Sequence, residues 1–150
     1  MDFPTRIPFV ETLGLELLAL DNGQATIRLD LQAAHHNSFD VAHGGVVMSL
    51  LDATLAHAAR SLNPVTPEGV LPGVVTIEMK TSFMQAGTGV LQAEARVLHR
   101  TATLAFCEGS VFNEQDELCA HATGTFMYVR GLPTPQGKVN ALRGSTPKGN

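Results

Sequence analysis

The stretch from Gly44 to Leu62, GGVVMSLLDATLAHAARSL, limits the possible folds more than any other part of the chain. Alanine, leucine and methionine dominate it, and all three favour helix. A surface helix needs a broad polar face. This one has Ser49, Asp52, Thr54, His57 and Arg60 dispersed among apolar neighbours, with Ser61 at its end. It therefore has to be covered on most of its sides. The following NPVTPEG ends it, because proline cannot continue a helix.

The flanks supply the cover. A short helical turn is expected over 7–13, after Pro4 and Pro8. LGLELLAL (13–20) then reads as a strand, Asp-Asn-Gly (21–23) as a hairpin turn, and QATIRLDL (24–31) as a strand. In the second strand Ala25, Ile27, Leu29 and Leu31 fall on one side, with Thr26, Arg28 and Asp30 on the other. A polar loop, QAAHHNSFDVA, leads into the helix. Beyond it, four more strand-like runs occupy 73–84, 90–100, 101–113 and 118–129, and the short loops between them predict an antiparallel meander. Two strands, one buried helix and four strands make an α+β domain over 1–130, an antiparallel sheet wrapped around one long central helix. The Gly- and Pro-rich segment 131–150 is expected to be a flexible or loosely docked tail.

Composition narrows the functional classes. Of 150 residues 44% are hydrophobic and only 16% charged. Charged residues usually make up about 25%, so part of this surface should be covered by a subunit partner. A net charge of −4 without any basic stripe argues against nucleic acid. The helical run is too often broken by polar residues to span a membrane, and the N-terminus lacks the basic-then-apolar pattern of a signal peptide. Cytoplasmic residence is expected, with Cys107 and Cys119 as buried thiols. His35, His36, His43 and His57 match no metal-ligand spacing, so neither a metal nor another cofactor is expected.

Asp52 is the anomaly in this apolar helix. A buried carboxylate without a partner costs several kcal/mol, so it needs either a partner, such as Arg60 or Lys80, or a task. Gly44, Met48, Asp52 and Ala56 lie four residues apart and share a face. Gly44 and Gly45 open the helix, where backbone N–H groups and the helix dipole can hold a developing oxyanion. Eight residues separate Gly44 from Asp52, about 12 Å along the axis, too far for one reacting centre. Two copies packed antiparallel about Met48 would bring Gly44 of one to Asp52 of the other, making a homodimer with two shared sites. A carboxylate beside an oxyanion hole suits hydrolysis of an activated carbonyl. No Ser elbow or Cys–His pair is evident, which favours a thioester over an amide.

With these residues in view, HNSFDVAHGGVVMSLLDATLAHAA resembles the hotdog-fold acyl-CoA thioesterases of the phenylacetate-degradation, or 4-hydroxybenzoyl-CoA thioesterase-like, type. An Asn stands six residues before the His of His-Gly-Gly, and an acid follows that His by nine. The resemblance implies an acyl-CoA substrate. It implies that Gly44 N–H polarises the thioester carbonyl, that Asp52 is base or nucleophile, and that Asn37 orients water or substrate. His43 would support the loop, Thr76 would assist the acid, and Gly45, Arg100 and Thr101 would contact the substrate or its coenzyme A portion. It also implies a homotetramer built from two dimers. Two other possibilities share the fold: a dehydratase, whose His-Phe-Pro entry is absent here, and a non-catalytic acyl-CoA binding protein, which would not need Asp52.

Overall fold

In the computed structural model, which describes residues 1–63, 65–67, 69, 72–137 and 139–141, the apolar run forms a helix, α2 (Gly44–Arg60). It is preceded by a short helix, α1 (Pro8–Leu13). Six strands curl around α2: β1 (Glu16–Asp21), β2 (Gln24–Asp30), β3 (Gly73–Phe83), β4 (Val90–Arg100), β5 (Leu104–Phe112) and β6 (Leu118–Val129). They form one antiparallel sheet in the order β1-β2-β4-β5-β6-β3. This is the α+β arrangement expected from the sequence. Asn22 and Gly23 both take positive φ, 39° and 81°, the pair of left-handed residues that a tight hairpin turn requires.

The meander expectation holds for β4, β5 and β6 but fails for β3, which pairs with β6 at the sheet edge and not with β4. The local pattern of four strands could not reveal this, because α2 lies between β2 and β3 and lets β3 start on the far side of the helix. The link Met84–Gly89 then crosses the end of the sheet. In a flat sheet β3 and β4 would lie three strand spacings apart, about 14 Å. Six linking residues span roughly 20 Å, so the crossing is within reach. Backbone bonds fasten both ends of the link: Met84 and Gln85 N–H donate to Cys119 O at 2.9 and 3.1 Å, Ala42 N–H donates to Gly87 O at 2.9 Å and Leu31 N–H to Gly89 O at 2.9 Å.

The core sits between α2 and the concave face of the sheet. Leu50, Leu51, Leu55, Ala58 and Ala59 of α2 are fully buried against Ile27, Leu29, Leu91, Val111 and Phe126. Each large side chain here contributes about 1.5–3 kcal/mol. The helix C-terminus is pinned by the Tyr128 hydroxyl, which donates to Ala59 O at 2.8 Å, and by Arg100, whose guanidinium donates to Leu62 O at 3.0 Å and lies 4.6 Å over the Tyr128 ring. Cys107 and Cys119 are both buried free thiols. Burial pushes the Cys107 thiol up to about 12.

One stripe of α2 is left uncovered by the chain's own sheet. It comprises Gly44, Gly45, Met48, Ser49, Asp52 and Ala56, all half-buried or exposed. Met48 at its centre is 37% exposed. Beyond the main sheet, β7 (Gly131–Pro133) and β8 (Val139–Ala141) pair as a small antiparallel hairpin. Of the tail expected over 131–150, residue 138 and residues 142–150 lie outside the described residues. Among the described residues no helix is long and apolar enough to cross a membrane.

Candidate active site

The loop ahead of α2 is built to present the first turn of the helix. Asn37 Oδ1 accepts from Phe39 N–H at 2.9 Å, and Asn37 N–H donates to Val41 O at 2.8 Å, so Asn37 closes a tight turn through Asp40, which takes φ 58°. His43 is the N-cap. Its N–H donates to His35 O at 2.9 Å, and its Nδ1 accepts from Gly45 N–H at 2.8 Å. That bond places the proton of neutral His43 on Nε2. It also takes up Gly45 N–H, so the expectation of two glycine N–H groups for a substrate oxygen narrows to one. Gly44 N–H, at the first helical position, has no acceptor among the described residues. Asn37 and Gly44 line one groove of about 390 Å³, with Phe83 and Met84 among its apolar walls.

Asp52 lies two turns further along, in a different groove. The Thr76 hydroxyl on β3 donates to Asp52 Oδ1 at 2.7 Å. The bond engages Oδ1 and leaves Oδ2 without a hydrogen-bond partner among the described residues. The partner of Asp52 is thus Thr76, and not the Arg60 or Lys80 that the sequence also offered. Asp52 and Thr76 line a groove of about 480 Å³ with Val10, Leu13, Met48 and Met79. The two grooves share no lining residue. Within one chain the N–H and the carboxylate do not meet.

A β-bulge sets this geometry. Thr76 pairs with Phe126 and Glu78 with the adjacent Thr125, so Ile77 is an extra residue in β3. With strict alternation Glu78 would follow Val74 and Thr76 onto the helix side, beside Asp52. The extra residue turns Glu78 to the other face, where its Oε1 accepts from the Thr125 hydroxyl at 2.6 Å, and brings Met79 into the groove instead. Bulges re-aim side chains in this way next to functional sites. A second carboxylate is thereby kept away from the first.

Arg100 and Thr101 are not brought to either groove. Arg100 is tied to Leu62, Asn63 and Tyr128 at the far end of α2, and the Thr101 hydroxyl accepts from Thr103 N–H and Leu104 N–H in the β4–β5 turn. Two contributors were not foreseen from sequence. The first is α1 with its N-cap residue: Ile7 at the cap and Val10 and Leu13 in the helix wall the Asp52 groove. Their spacing of three was the available signal. The second is His57, which lines the same groove. No group of three or more His, Cys, Asp and Glu side chains is placed to hold a metal ion among the described residues.

Comparison with known proteins agrees with this architecture. A profile of the thioesterase superfamily matches residues 39–120, a span that takes in the end of the entry loop, all of α2 and the sheet as far as the start of β6. The acyl-coenzyme A thioesterase PaaI of Escherichia coli is 25% identical over 126 residues, covering 83% of this chain and 84% of its own length. The 1,4-dihydroxy-2-naphthoyl-CoA hydrolase of Listeria monocytogenes is 27% identical over 109 residues, covering 72% of this chain and 85% of its own. Among solved structures, the conserved protein PA5202 of Pseudomonas aeruginosa superposes with a TM-score of 0.75 at 31% identity, covering 84% of this chain and 97% of that one.

Proposed function

The chain belongs to the thioesterase superfamily, has its hotdog fold, and on that footing we propose that it hydrolyses an acyl- or aryl-CoA thioester to the free acid and coenzyme A at a site shared between two copies. One observation carries the proposal. The unsatisfied Gly44 N–H and the Thr76-held carboxylate of Asp52 occupy separate grooves, yet their residues stand four positions to either side of the exposed Met48 on the one stripe of α2 that the sheet leaves open. A two-fold axis at Met48 superposes each half-site on the other copy's complementary half. The edge strand β3 supports the same packing. It is eleven residues long, pairs on one side only, and shows Ile77 53% exposed. An open edge of that length is a template for a second strand.

In the resulting site the Gly44 N–H, at the positive end of α2, donates to the thioester carbonyl oxygen and stabilises the oxyanion as charge builds on it. The partner's Asp52, oriented by its own Thr76, either takes a proton from an attacking water or attacks the carbonyl carbon itself. In either case a C–O bond forms at the carbonyl carbon and the C–S bond breaks; the coenzyme A thiolate leaves and takes up the proton released from water, and where Asp52 itself attacks, water then cleaves the acyl-aspartyl anhydride to give the free acid. A thiol is a good leaving group, so no further acid is needed. Asn37 and His43 shape the loop that presents Gly44. Further assembly of dimers into a tetramer, and contacts of Arg100 and Thr101 with the nucleotide end of coenzyme A, belong to the same proposal.

The test is thiol release from short, medium, long and aromatic acyl-CoA thioesters by the wild type and by Asp52→Asn. Turnover of at least one class, with a loss of several orders of magnitude in the variant, supports the proposal. Binding without turnover points to an acyl-CoA binding protein instead, and equal turnover in the two proteins removes Asp52 from the reaction.

A further inference from the structure

His57 lies outside the machinery described so far, and its surroundings are unusual. It is 1% exposed. Its Nδ1 sits 2.7 Å from Ala53 O. A carbonyl can only accept, so Nδ1 carries the proton. Burial lowers the affinity of the ring for a second proton; the Ala53 bond opposes this less strongly, and Arg60 adds the smallest effect, a further lowering. The neutral imidazole therefore has a lone pair on Nε2. That atom is buried and has no hydrogen-bond partner among the described residues. Buried acceptors almost always have partners, and an apolar side chain would fill this position without leaving one unmet. The Phe3 ring leans on the imidazole, 5.0 Å between centroids. Phe3 is carried on the segment ahead of α1, the helix that walls the Asp52 groove.

We infer that this groove receives the acyl group, and that His57 Nε2 accepts a hydrogen bond from a hydroxyl or amine at the far end of that group. This rests on the thioesterase reading for the identity of the bound molecule. His57 follows Asp52 by five residues, about 7.5 Å along the axis. The matching donor thus lies six or seven bonds out from the reacting carbonyl, the reach of an ω-hydroxyl on a six-carbon chain or of a para-hydroxyl on an arylacetyl group. Val10, Leu13, Met48 and Met79 give the groove apolar walls, and His57 joins Ser49, Asp52 and Thr76 as its polar lining.

The test compares two matched pairs, 6-hydroxyhexanoyl-CoA with hexanoyl-CoA and 4-hydroxyphenylacetyl-CoA with phenylacetyl-CoA. The wild type should favour the hydroxylated member of at least one pair by about tenfold or more in kcat/KM. In His57→Phe that ratio should fall to near one, whatever the absolute rates. A wild-type ratio near one for both pairs, or an unchanged ratio in the variant, overturns the inference. A second measurement does not depend on turnover or on the variant folding. The ¹⁵N resonance of wild-type His57 Nε2 is followed while 4-hydroxyphenylacetate or phenylacetate is added. A shift with the hydroxy acid alone supports the inference, and no shift with either acid overturns it. If every thioester resists hydrolysis while Nε2 still responds, the thioesterase reading fails and the acceptor role stands.

Discussion

Replacing Thr76 by valine removes one hydroxyl and little else. Valine matches threonine in shape and is a strong strand former, so β3 and its bulge should persist. The bond that is lost is short, 2.7 Å to Asp52 Oδ1. Hydrogen bonds to charged groups are worth about 1.5–3 kcal/mol. Thr76 is exposed in the single chain, so water competes for the carboxylate and the lower end applies. About 1.4 kcal/mol is tenfold in rate. Thr76→Val should therefore lower kcat by roughly tenfold, rising toward a hundredfold if the dimer shields the site. Thr76→Ser keeps the donor and should stay within about threefold of wild type. Thiol release monitored with a chromogenic disulfide gives kcat and KM, and a thermal melt checks the fold. If valine leaves kcat within twofold, or if serine is as damaging as valine, the hydroxyl does not orient Asp52.

Further expectations follow from other parts of the molecule. Gly44→Pro deletes the proposed oxyanion donor at a helix position that welcomes proline. His43 already has the extended ψ of 137° that a following proline requires, and a Cβ at Gly44 would sit 3.6 Å from Phe83 Cζ, an ordinary contact. Activity should drop about 10²–10³-fold with the melting temperature nearly unchanged; a fully active variant excludes Gly44 N–H from the reaction. Because burial lowers the His57 pKa below 6.5, the unfolded chain binds a proton that the folded chain refuses. Stability conferred above pH 6.5 is lost as the pH falls below it, by at most about 1.4 kcal/mol per unit. Urea midpoints at pH 7 and pH 5 measure this, and His57→Phe should flatten the difference. Ile27→Ala, at a fully buried position, should cost about 2–5 kcal/mol, read from the same urea curves. A loss below 1 kcal/mol would contradict close packing around Ile27.

Much of this protein is visible in its sequence because local patterns decide it. The uniform apolarity of 44–62 demands a surrounding sheet. Period-two alternation in 24–31 assigns Ile27 and Leu29 to the core, and Asn22-Gly23 closes the hairpin. Asp52 stands out because a carboxylate has no business in such a helix without a partner, and Thr76 proves to be that partner. Nonlocal features are harder to read. The placement of β3 beside β6 depends on how the sheet closes around α2, which no single strand records. The bulge at Ile77 adds one residue to a regular strand without any glycine or proline to mark it. The partner of His43 Nδ1 is its own neighbour's N–H, so the spacing that draws attention to Gly45 conceals that this donor is already used. Arg100 looks free in sequence, but its partners Leu62 and Tyr128 come from distant segments.

The central claim is that each site combines Gly44 of one copy with Asp52 of the other. Gly44→Pro and Asp52→Asn, each inactive alone, can be unfolded together and refolded as a mixture. A heterodimer then holds one doubly damaged site and one intact site made of the unmodified Gly44 and the unmodified Asp52. Random association makes half of the dimers mixed, so activity should return to about a quarter of wild type. If both residues served a site within one chain, every site in the mixture would keep one lesion, and activity would stay at the level of the separate variants.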